Sequence, residues 1–323
     1  MEDKFWKGRK ILITGYEGFL GSHLTRALLN NQAQVWGLDI KTYRRDTIIS
    51  LDELKRMSVI KGSVENLSLL INIIKRNNIE FIFHLAARAL VSNCLKNPVR
   101  AFSTNIKGTW NILEAVRVNT CVKSVVIASS DKAYGDQINL PYKETFPLAG
   151  RHPYDVSKSC ADLLANAYYH SYDLPVSITR CGNIFGPGDF NFSRIIPDAI
   201  KSAILGETLF IRSNGKFVRD YIYVSDIVEG YLKLAKKIYE GKAVGESFNF
   251  SNEKPMSVLE IVELVYKLAG KKPNYKILNQ AENEIKNQFL SSRKAEKILG
   301  WKPHFKLAAS LKNTIEWYRG LFT

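Results

Sequence analysis

Between Lys10 and Asp39 the residues alternate in a way that few folds accommodate. Lys10 to Thr14, Lys-Ile-Leu-Ile-Thr, reads as a short buried strand. Gly15-Tyr16-Glu17-Gly18-Phe19-Leu20-Gly21 follows, then apolar residues at helical spacing through Leu24, Ala27 and Leu28. Ala33 to Leu38 forms a second strand, and Asp39 ends it. Strand, glycine turn, helix, strand and acid, in that order, predict a βαβ unit that binds a dinucleotide. Gly15 permits the tight turn, Gly18 lets backbone approach a pyrophosphate, and Gly21 lets helix and strand pack closely. The helix N-terminus brings free N–H groups and a positive dipole end to the phosphates, with Phe19 and Leu20 among the contacts. Asp39 stands 18 residues beyond Gly21, near the usual separation of about 20. A carboxylate there binds the adenosine ribose diol and repels a 2′-phosphate, so NAD is expected over NADP. Arg44 and Arg45 are the nearby residues that would favour the phosphorylated cofactor.

Tyr154-Asp155-Val156-Ser157-Lys158 carries the second constraint. In a helix, positions four apart lie on one face, which sets an ammonium beside a phenol. A cation held there stabilises phenolate, so Tyr154 is expected to lose its proton well below its free value of about 10. Such a tyrosine can take a proton from a sugar hydroxyl while hydride leaves the same carbon. Tyr and Lys at this spacing are common on solvated helices, and the pair carries chemistry only beside a nicotinamide site and a third polar partner. Val122 to Ala128 supplies the partner's place. This apolar strand ends in Ser129-Ser130-Asp131-Lys132-Ala133-Tyr134-Gly135, and ligands of open α/β sheets sit at the carboxyl ends of strands.

The remaining elements alternate likewise. Val59-Ile60 and Phe81 to His84 read as strands, Leu67 to Arg76 as an amphipathic helix, and His84 as a packed histidine at a strand end. Pro98 suits the first turn of a helix that carries Asn105 and runs through Trp110, Leu113 and Val116. Val176 to Arg180 is a further strand. Leu209 to Arg212, the Asn214-Gly215 turn and Phe217 to Arg219 predict a hairpin. The helix from Asp226 and the strand Ser247 to Phe250 should return to the first domain. Ser257-Val258-Leu259-Glu260 is a capping box, and Gly300 closes a helix from Arg293. The whole predicts an α/β chain with a Rossmann-like, doubly wound parallel sheet. Residues 1–180, with a returning segment near 219–250, form the NAD-binding domain, and 181–323 mainly a smaller C-terminal substrate-binding domain.

Composition excludes several classes. The chain has 323 residues and a formal net charge of +15, which favours an anionic ligand. No basic run carries interleaved aromatics, so nucleic acid is not expected. The cysteines at 94, 121, 160 and 181 form no C-x-x-C pair, and no His cluster has metal spacing, so reduced thiols and no metal are expected. Met1 to Lys10 has no apolar core, and no apolar run approaches 18 residues, so a cytoplasmic protein without signal peptide or membrane span is expected.

The G-x-x-G-x-x-G spacing resembles the extended, nucleotide-sugar-modifying branch of the short-chain dehydrogenase/reductase superfamily, and the resemblance runs almost the whole length. It implies that Ala86 and Ala87 lie against the cofactor and that Asn105, in Thr104-Asn105-Ile106-Lys107-Gly108-Thr109, stabilises the fold around it. Ser63 stands where the family usually has an adenine-contacting Asp. Ser130, Tyr154 and Lys158 would form the oxidising triad: Ser130 aligns a sugar 4-hydroxyl, Tyr154 removes its proton, and Lys158 tunes the phenol and holds the nicotinamide ribose. Asn183, Arg194 and Arg219, the last heading Arg219-Asp220-Tyr221-Ile222-Tyr223-Val224-Ser225-Asp226, would bind a nucleotide-diphosphate sugar. The helices after Pro98 and Pro153 would form a four-helix homodimer interface.

Asp131-Lys132 resembles the acid–base pair of the CDP-glucose 4,6-dehydratases, as does His84-Leu85-Ala86-Ala87-Arg88-Ala89-Leu90-Val91. Once C4 is a ketone, the C5 proton is acidic, a base must remove it and an acid must protonate the departing C6 hydroxyl. Asp131 is assigned as the acid and Lys132 as the base, provided burial lowers the lysine's pKa. The leading expectation is an NAD-dependent nucleotide-sugar 4,6-dehydratase. A C4 or C5 epimerase or related oxidoreductase, for example on a UDP-N-acetylhexosamine derivative, shares the triad. A non-catalytic NAD-binding regulator would not need all three of its residues.

Overall fold

In the computed structural model, which describes residues 4–43, 46–281 and 284–322, seven strands form one sheet. Their order is Ser247–Phe250, Val176–Cys181, Ser124–Ala128, Phe81–His84, Lys10–Thr14, Gln34–Asp39 and Ser58–Lys61, and every neighbouring pair is parallel. Arg44 and Arg45 fall outside the described residues. The all-parallel arrangement follows from continuous apolar strands, which must be covered on both faces. Ile11, Ile13, Phe81 and Phe83 pack with Leu24, Leu28, Tyr231 and Leu234 on one face. Leu12, Ile82, Val125 and Ile127 pack with Leu70, Ile74, Ile112 and Ala165 on the other. Helix Val224–Tyr239 and strand Ser247–Phe250 return to this sheet from later in the chain, as expected.

The chain builds the sheet outward in two directions from Lys10–Thr14 and Phe81–His84. At that reversal the connections leave the strand ends on opposite sides and open a crevice. His84 closes its floor. It is buried, with Nδ1 2.8 Å from Thr14 Oγ1 and Nε2 3.3 Å from Thr109 Oγ1. Burial, aided by the Lys158 charge, pushes it down to about 3, which keeps it a neutral packed histidine. The helix expected after Pro98 is one rod of three pieces: Pro98–Phe102, a π turn Ser103–Lys107 holding Asn105, and Gly108–Arg117. Such wider turns are frequent at functional sites.

Beyond Cys181 three small sheets and a separate core cover the crevice. Asn183–Phe185 pairs with Tyr221–Tyr223, and Leu209–Ile211 with Tyr275–Ile277. Val218–Arg219 lies between Met256–Ser257 and Asn287–Gln288. The expected hairpin is therefore absent. Gly215 does turn the chain at φ +80, with its N–H donating to Ser213 Oγ at 3.1 Å. But the arms diverge to partners that arrive later in sequence, and a local turn signal cannot reveal those. Ile200, Leu209, Ile261, Val265 and Leu311 pack beneath these strands. The capping box is present: Glu260 N–H donates to Ser257 Oγ and Ser257 N–H to Glu260 Oε2. Gly300, left-handed, closes Arg293–Leu299. Among the described residues no helix is long and apolar enough to cross a membrane.

One buried ion pair ties helix Pro153–Tyr172 to strand Val176–Cys181. Arg180 Nη2 lies 2.7 Å from Asp162 Oδ1, and Nε donates to Oδ2 at 3.2 Å. Arg180 Nη1 also donates to the Tyr134 hydroxyl at 2.7 Å. Removing one partner leaves the other charge buried without compensation. Asp162→Ala should therefore destabilise the fold by about 3–5 kcal/mol, read from urea unfolding. The double variant Asp162→Ala/Arg180→Met should recover part of that loss, and an unchanged midpoint in the single variant would contradict the buried pairing.

Candidate active site

A cavity of about 1610 Å³ runs along the carboxyl ends of the strands and under the small sheets. A drug-sized pocket is on the order of 300–1,000 Å³, so this one has room for two ligands end to end. At one end lie Gly15, Gly18, Phe19, Leu20, Gly21 and Asp39, with Ala86 and Ala87 opposite. Ser130, Asp131, Lys132, Tyr154 and Lys158 line the middle, and Asn183, Arg194 and Arg219 the far end.

The glycine end has a cradle that side chains would fill. Gly15 adopts φ +73, and a Cβ there would come within 2.9 Å of Ala86 Cα and N. A Cβ on Gly21 would run into the Gly15 carbonyl. Gly18 precedes helix Phe19–Asn30, whose start has no side-chain cap. Its first N–H groups are thus available to an anion. Asp39 is buried at the end of Gln34–Asp39, with Oδ1 accepting from Lys41 N–H at 3.3 Å. Ser63 lines the same end, and its Oγ accepts from Glu65 N–H. These residues fit a dinucleotide. Asn105 is buried but is not among the lining residues: Arg88 N–H donates to its Oδ1 at 2.7 Å, and its Nδ2 donates to Arg88 O and Ser157 Oγ. It braces the wall behind the cavity instead of reaching a ligand.

In the middle, Ser130 lies two residues past strand Ser124–Ala128 and caps the single turn Asp131–Tyr134. Its Oγ donates to Asp131 Oδ1 at 2.9 Å and accepts from Lys132 N–H at 3.3 Å. Burial pushes the Asp131 carboxyl up, against the pull of Lys132, Ser130 and Arg219. Lys132 is half-buried, and its ammonium donates to Gln288 Oε1 at 3.4 Å. Pro153 opens the helix that carries Tyr154 and Lys158, as its fixed φ suits. The expected lysine-depressed phenol is not what forms. Burial pushes the Tyr154 phenol up, and Ser130 and the Arg194 charge draw it back. Lys158 Nζ lies 6.0 Å from the phenol ring centroid and donates to Ala128 O at 2.7 Å. Burial lowers that lysine to about 8.

The far end gathers cations. Arg219 is buried, with Nη1 donating to Val218 O and Lys286 O and Nη2 3.8 Å from Glu284. Arg194 Nη1 lies 3.0 Å from Asp189 Oδ2. Asn183 is exposed to the cavity, and its Nδ2 donates to Asp220 O at 3.3 Å. Sequence reasoning missed Glu284 and Gln288. Both come from a segment without a motif; Gln288 is placed by strand pairing with Arg219, and Glu284 by its ion pair with the same arginine.

Fold and site together define a dinucleotide-dependent enzyme acting on a second, anionic ligand. A family model described as GDP-mannose 4,6 dehydratase matches residues 12–314. The CDP-glucose 4,6-dehydratase of Salmonella typhimurium is 31% identical, over 99% of this chain and 93% of its own. The structure of dTDP-glucose 4,6-dehydratase from Bacillus anthracis in complex with NAD superposes with TM-score 0.86 at 28% identity, covering 97% of each chain. That of UDP-glucose 4-epimerase from Thermotoga maritima with UDP-glucose gives 0.88 at 27% identity, covering 97% of this chain and 100% of that one. The chain belongs to the GDP-mannose 4,6 dehydratase family, in the nucleotide-sugar dehydratase and epimerase branch of the extended short-chain dehydrogenases/reductases.

Lys158 gives the fold a pH signature. Its ordinary value is 10.5 and burial brings it to about 8. Between those values the unfolded chain holds a proton that the folded chain has released. Raising pH through that window therefore favours folding, and the cost of burying the ammonium is present in full below it. Denaturant unfolding of native protein and Lys158→Met should show a difference curve that rises from pH 8 to 10.5. A flat difference would place the lysine in water.

Proposed function

We propose that this protein is an NAD-dependent nucleotide-sugar 4,6-dehydratase that yields a 4-keto-6-deoxy sugar. The observation that carries the reading is Ser130, which joins an acid–base pair, Asp131 and Lys132, to the phenol of Tyr154 in one cavity. The relatives named as CDP-glucose and dTDP-glucose 4,6-dehydratases support it. Residues 1–180, with the returning segment near 219–250, hold NAD, and 181–323 mainly hold the nucleotide sugar. Gly15, Gly18, Phe19, Leu20, Gly21, Asp39, Ala86 and Ala87 make the cofactor cradle.

When bound, NAD would supply a two-electron acceptor for the C4 hydride and the donor for its return at C6, held by the cradle residues named above. Tyr154 takes the 4-hydroxyl proton, aligned by Ser130, and Lys158 orients the nicotinamide ribose. The resulting ketone acidifies the C5 hydrogen, which Lys132 removes. Asp131, held toward its protonated form by burial, gives a proton to the C6 hydroxyl, which departs as water. Arg219, Arg194 and Asn183 hold the diphosphate, for which a guanidinium fork is suited. A second reading, a C4 or C5 epimerase, draws on the equal similarity to the UDP-glucose 4-epimerase structure. Product mass separates them, because dehydration loses water and epimerisation conserves mass.

We further propose a cytoplasmic homodimer. Its support is the exposure of Val99, Trp110 and Leu163 on the helices after Pro98 and Pro153, and four free thiols.

Two predictions follow from these roles. With a nucleotide-sugar substrate, Lys132→Ala should accumulate NADH absorbance without losing water, and should take up no solvent deuterium at C5. Asp131→Asn should slow departure of the C6 hydroxyl. Full dehydration by both variants would remove the pair from the mechanism. Arg219→Ala should weaken nucleoside diphosphate binding by about 2–5 kcal/mol, since the guanidinium is buried; calorimetric titration with no loss would remove it from the site.

A further inference from the structure

Gln288 belongs to no sequence motif, yet it is fully buried against the acid–base turn. Its Oε1 accepts from Lys132 Nζ, and it is the one hydrogen-bond acceptor of that ammonium among the described residues. Chemistry fixes the orientation of the amide, because only the oxygen can face an ammonium. Its Nε2 is then left without a hydrogen-bond partner. A buried donor in that state is costly, and calls for an explanation beyond packing. The backbone leaves Gln288 little freedom. It pairs in register with Arg219, and the next residues lace to the loop at Tyr142, whose N–H donates to Phe289 O and whose carbonyl accepts from Ser291 N–H. Gln288 does not line the cavity, so it acts on a ligand only through its neighbours.

The geometry points to Gln288 as the positioning residue of Lys132, setting where its amine stands when it faces the C5 hydrogen. An amide is suited to the task. A carboxylate at the same place would hold Lys132 as a charged ammonium and suppress its action as a base. A neutral acceptor orients the nitrogen and adds no charge, where the carboxyls of Asp131 and Asp155, both pushed up by burial, already lie within electrostatic reach of Lys132. Because Gln288 sits on the strand paired with that of Arg219, the proposed diphosphate grip and the residue that positions the base belong to one small sheet. The assignment rests on Lys132 as the C5 base.

Two variants test it, Gln288→Leu and Gln288→Glu, each checked first for a native-like melting curve and NAD binding. Oxidation at C4, read as NADH absorbance, should stay close to native in both. Deuterium uptake at C5 and water loss should fall by about 10- to 100-fold, the scale of a misplaced catalytic group. Should the leucine variant not fold, the glutamate variant decides alone. Equal loss of both stages, or loss of neither, would overturn the assignment. A substrate-free measurement keeps it separate from the dehydratase reading. Labelling of Lys132 by an amine-reactive reagent, relative to the exposed Lys272 in the same digest, should rise in Gln288→Leu and fall in Gln288→Glu. Unchanged labelling would mean that Gln288 does not hold Lys132. Absence of water loss from native protein across a panel of nucleotide sugars would instead sink the dehydratase reading and leave the labelling result to stand.

Discussion

The near-contact of two backbones, at Gly15 and Ala86, sets the position of everything else in the cavity. The turn after the first strand and the end of the fourth-in-sequence strand come so close that a single methyl at Gly15 would not fit. That approach brings the start of helix Phe19–Asn30 to the sheet's reversal point, where its free N–H groups and dipole face an anion. It also fixes which strand ends open into the crevice. Ser124–Ala128 is the next strand outward from Phe81–His84, so Ser130 and the residues after it fall where the nicotinamide end of a dinucleotide would reach. The chemistry is therefore located by main-chain packing before any side chain is chosen.

Desolvation then assigns protonation states within that space. One cause moves acids and bases in opposite directions: burial raises Asp131 and the Tyr154 phenol and lowers Lys158. A raised carboxyl suits a proton donor. A raised phenol suits a base only when its anion is stabilised, and two groups beside it act in that direction, the Ser130 hydroxyl by a hydrogen bond and Arg194 by its charge. Arg194 is itself tied to the buried Asp189, so the phenol's setting depends on the substrate end of the cavity as well as on its own helix. The pair Arg180–Asp162 holds that helix to the sheet from behind, and the Asp162 charge partly offsets the burial of Lys158.

Most of the first domain was legible because its signals are local. Glycine spacing, continuous apolar strands, Pro98, Pro153 and the Ser257–Glu260 box each act within a few residues of themselves. What the sequence hid is non-local. The Asn214-Gly215 turn formed, yet its arms found partners near residues 256, 275 and 287 instead of each other. The effect of Lys158 on Tyr154 was misjudged because helical spacing gives proximity but not burial, and here burial outweighs a charge 6.0 Å from the ring. Asn105 was expected beside the cofactor, but its amide faces the wall and not the cavity. Gln288 carried no signal, since it reaches Lys132 across 156 residues of sequence through a two-residue strand.

Fold similarity cannot choose the reaction. A dehydratase and an epimerase superpose on this chain equally well, with TM-scores of 0.86 and 0.88. Both reactions begin by oxidising a sugar carbinol, so both need the glycine cradle, the tyrosine and the serine. They part only after the ketone exists. Elimination across C5 and C6 needs a base and an acid at adjacent carbons; an epimerase that merely returns hydride to the opposite face needs neither. In the dehydratase reading proposed here that place falls to Asp131 and Lys132, consecutive residues of one tight turn, with the Ser130 hydroxyl bonded to the Asp131 carboxyl and to the Lys132 backbone N–H. Consecutive residues on such a turn point in different directions, so one can face the leaving oxygen while the other faces the carbon next to it. A solvated surface pair would show neither the burial of Asp131 nor the buried amide acceptor on Lys132. The reaction class is therefore argued from these two side chains and from what encloses them, not from the sheet that carries them.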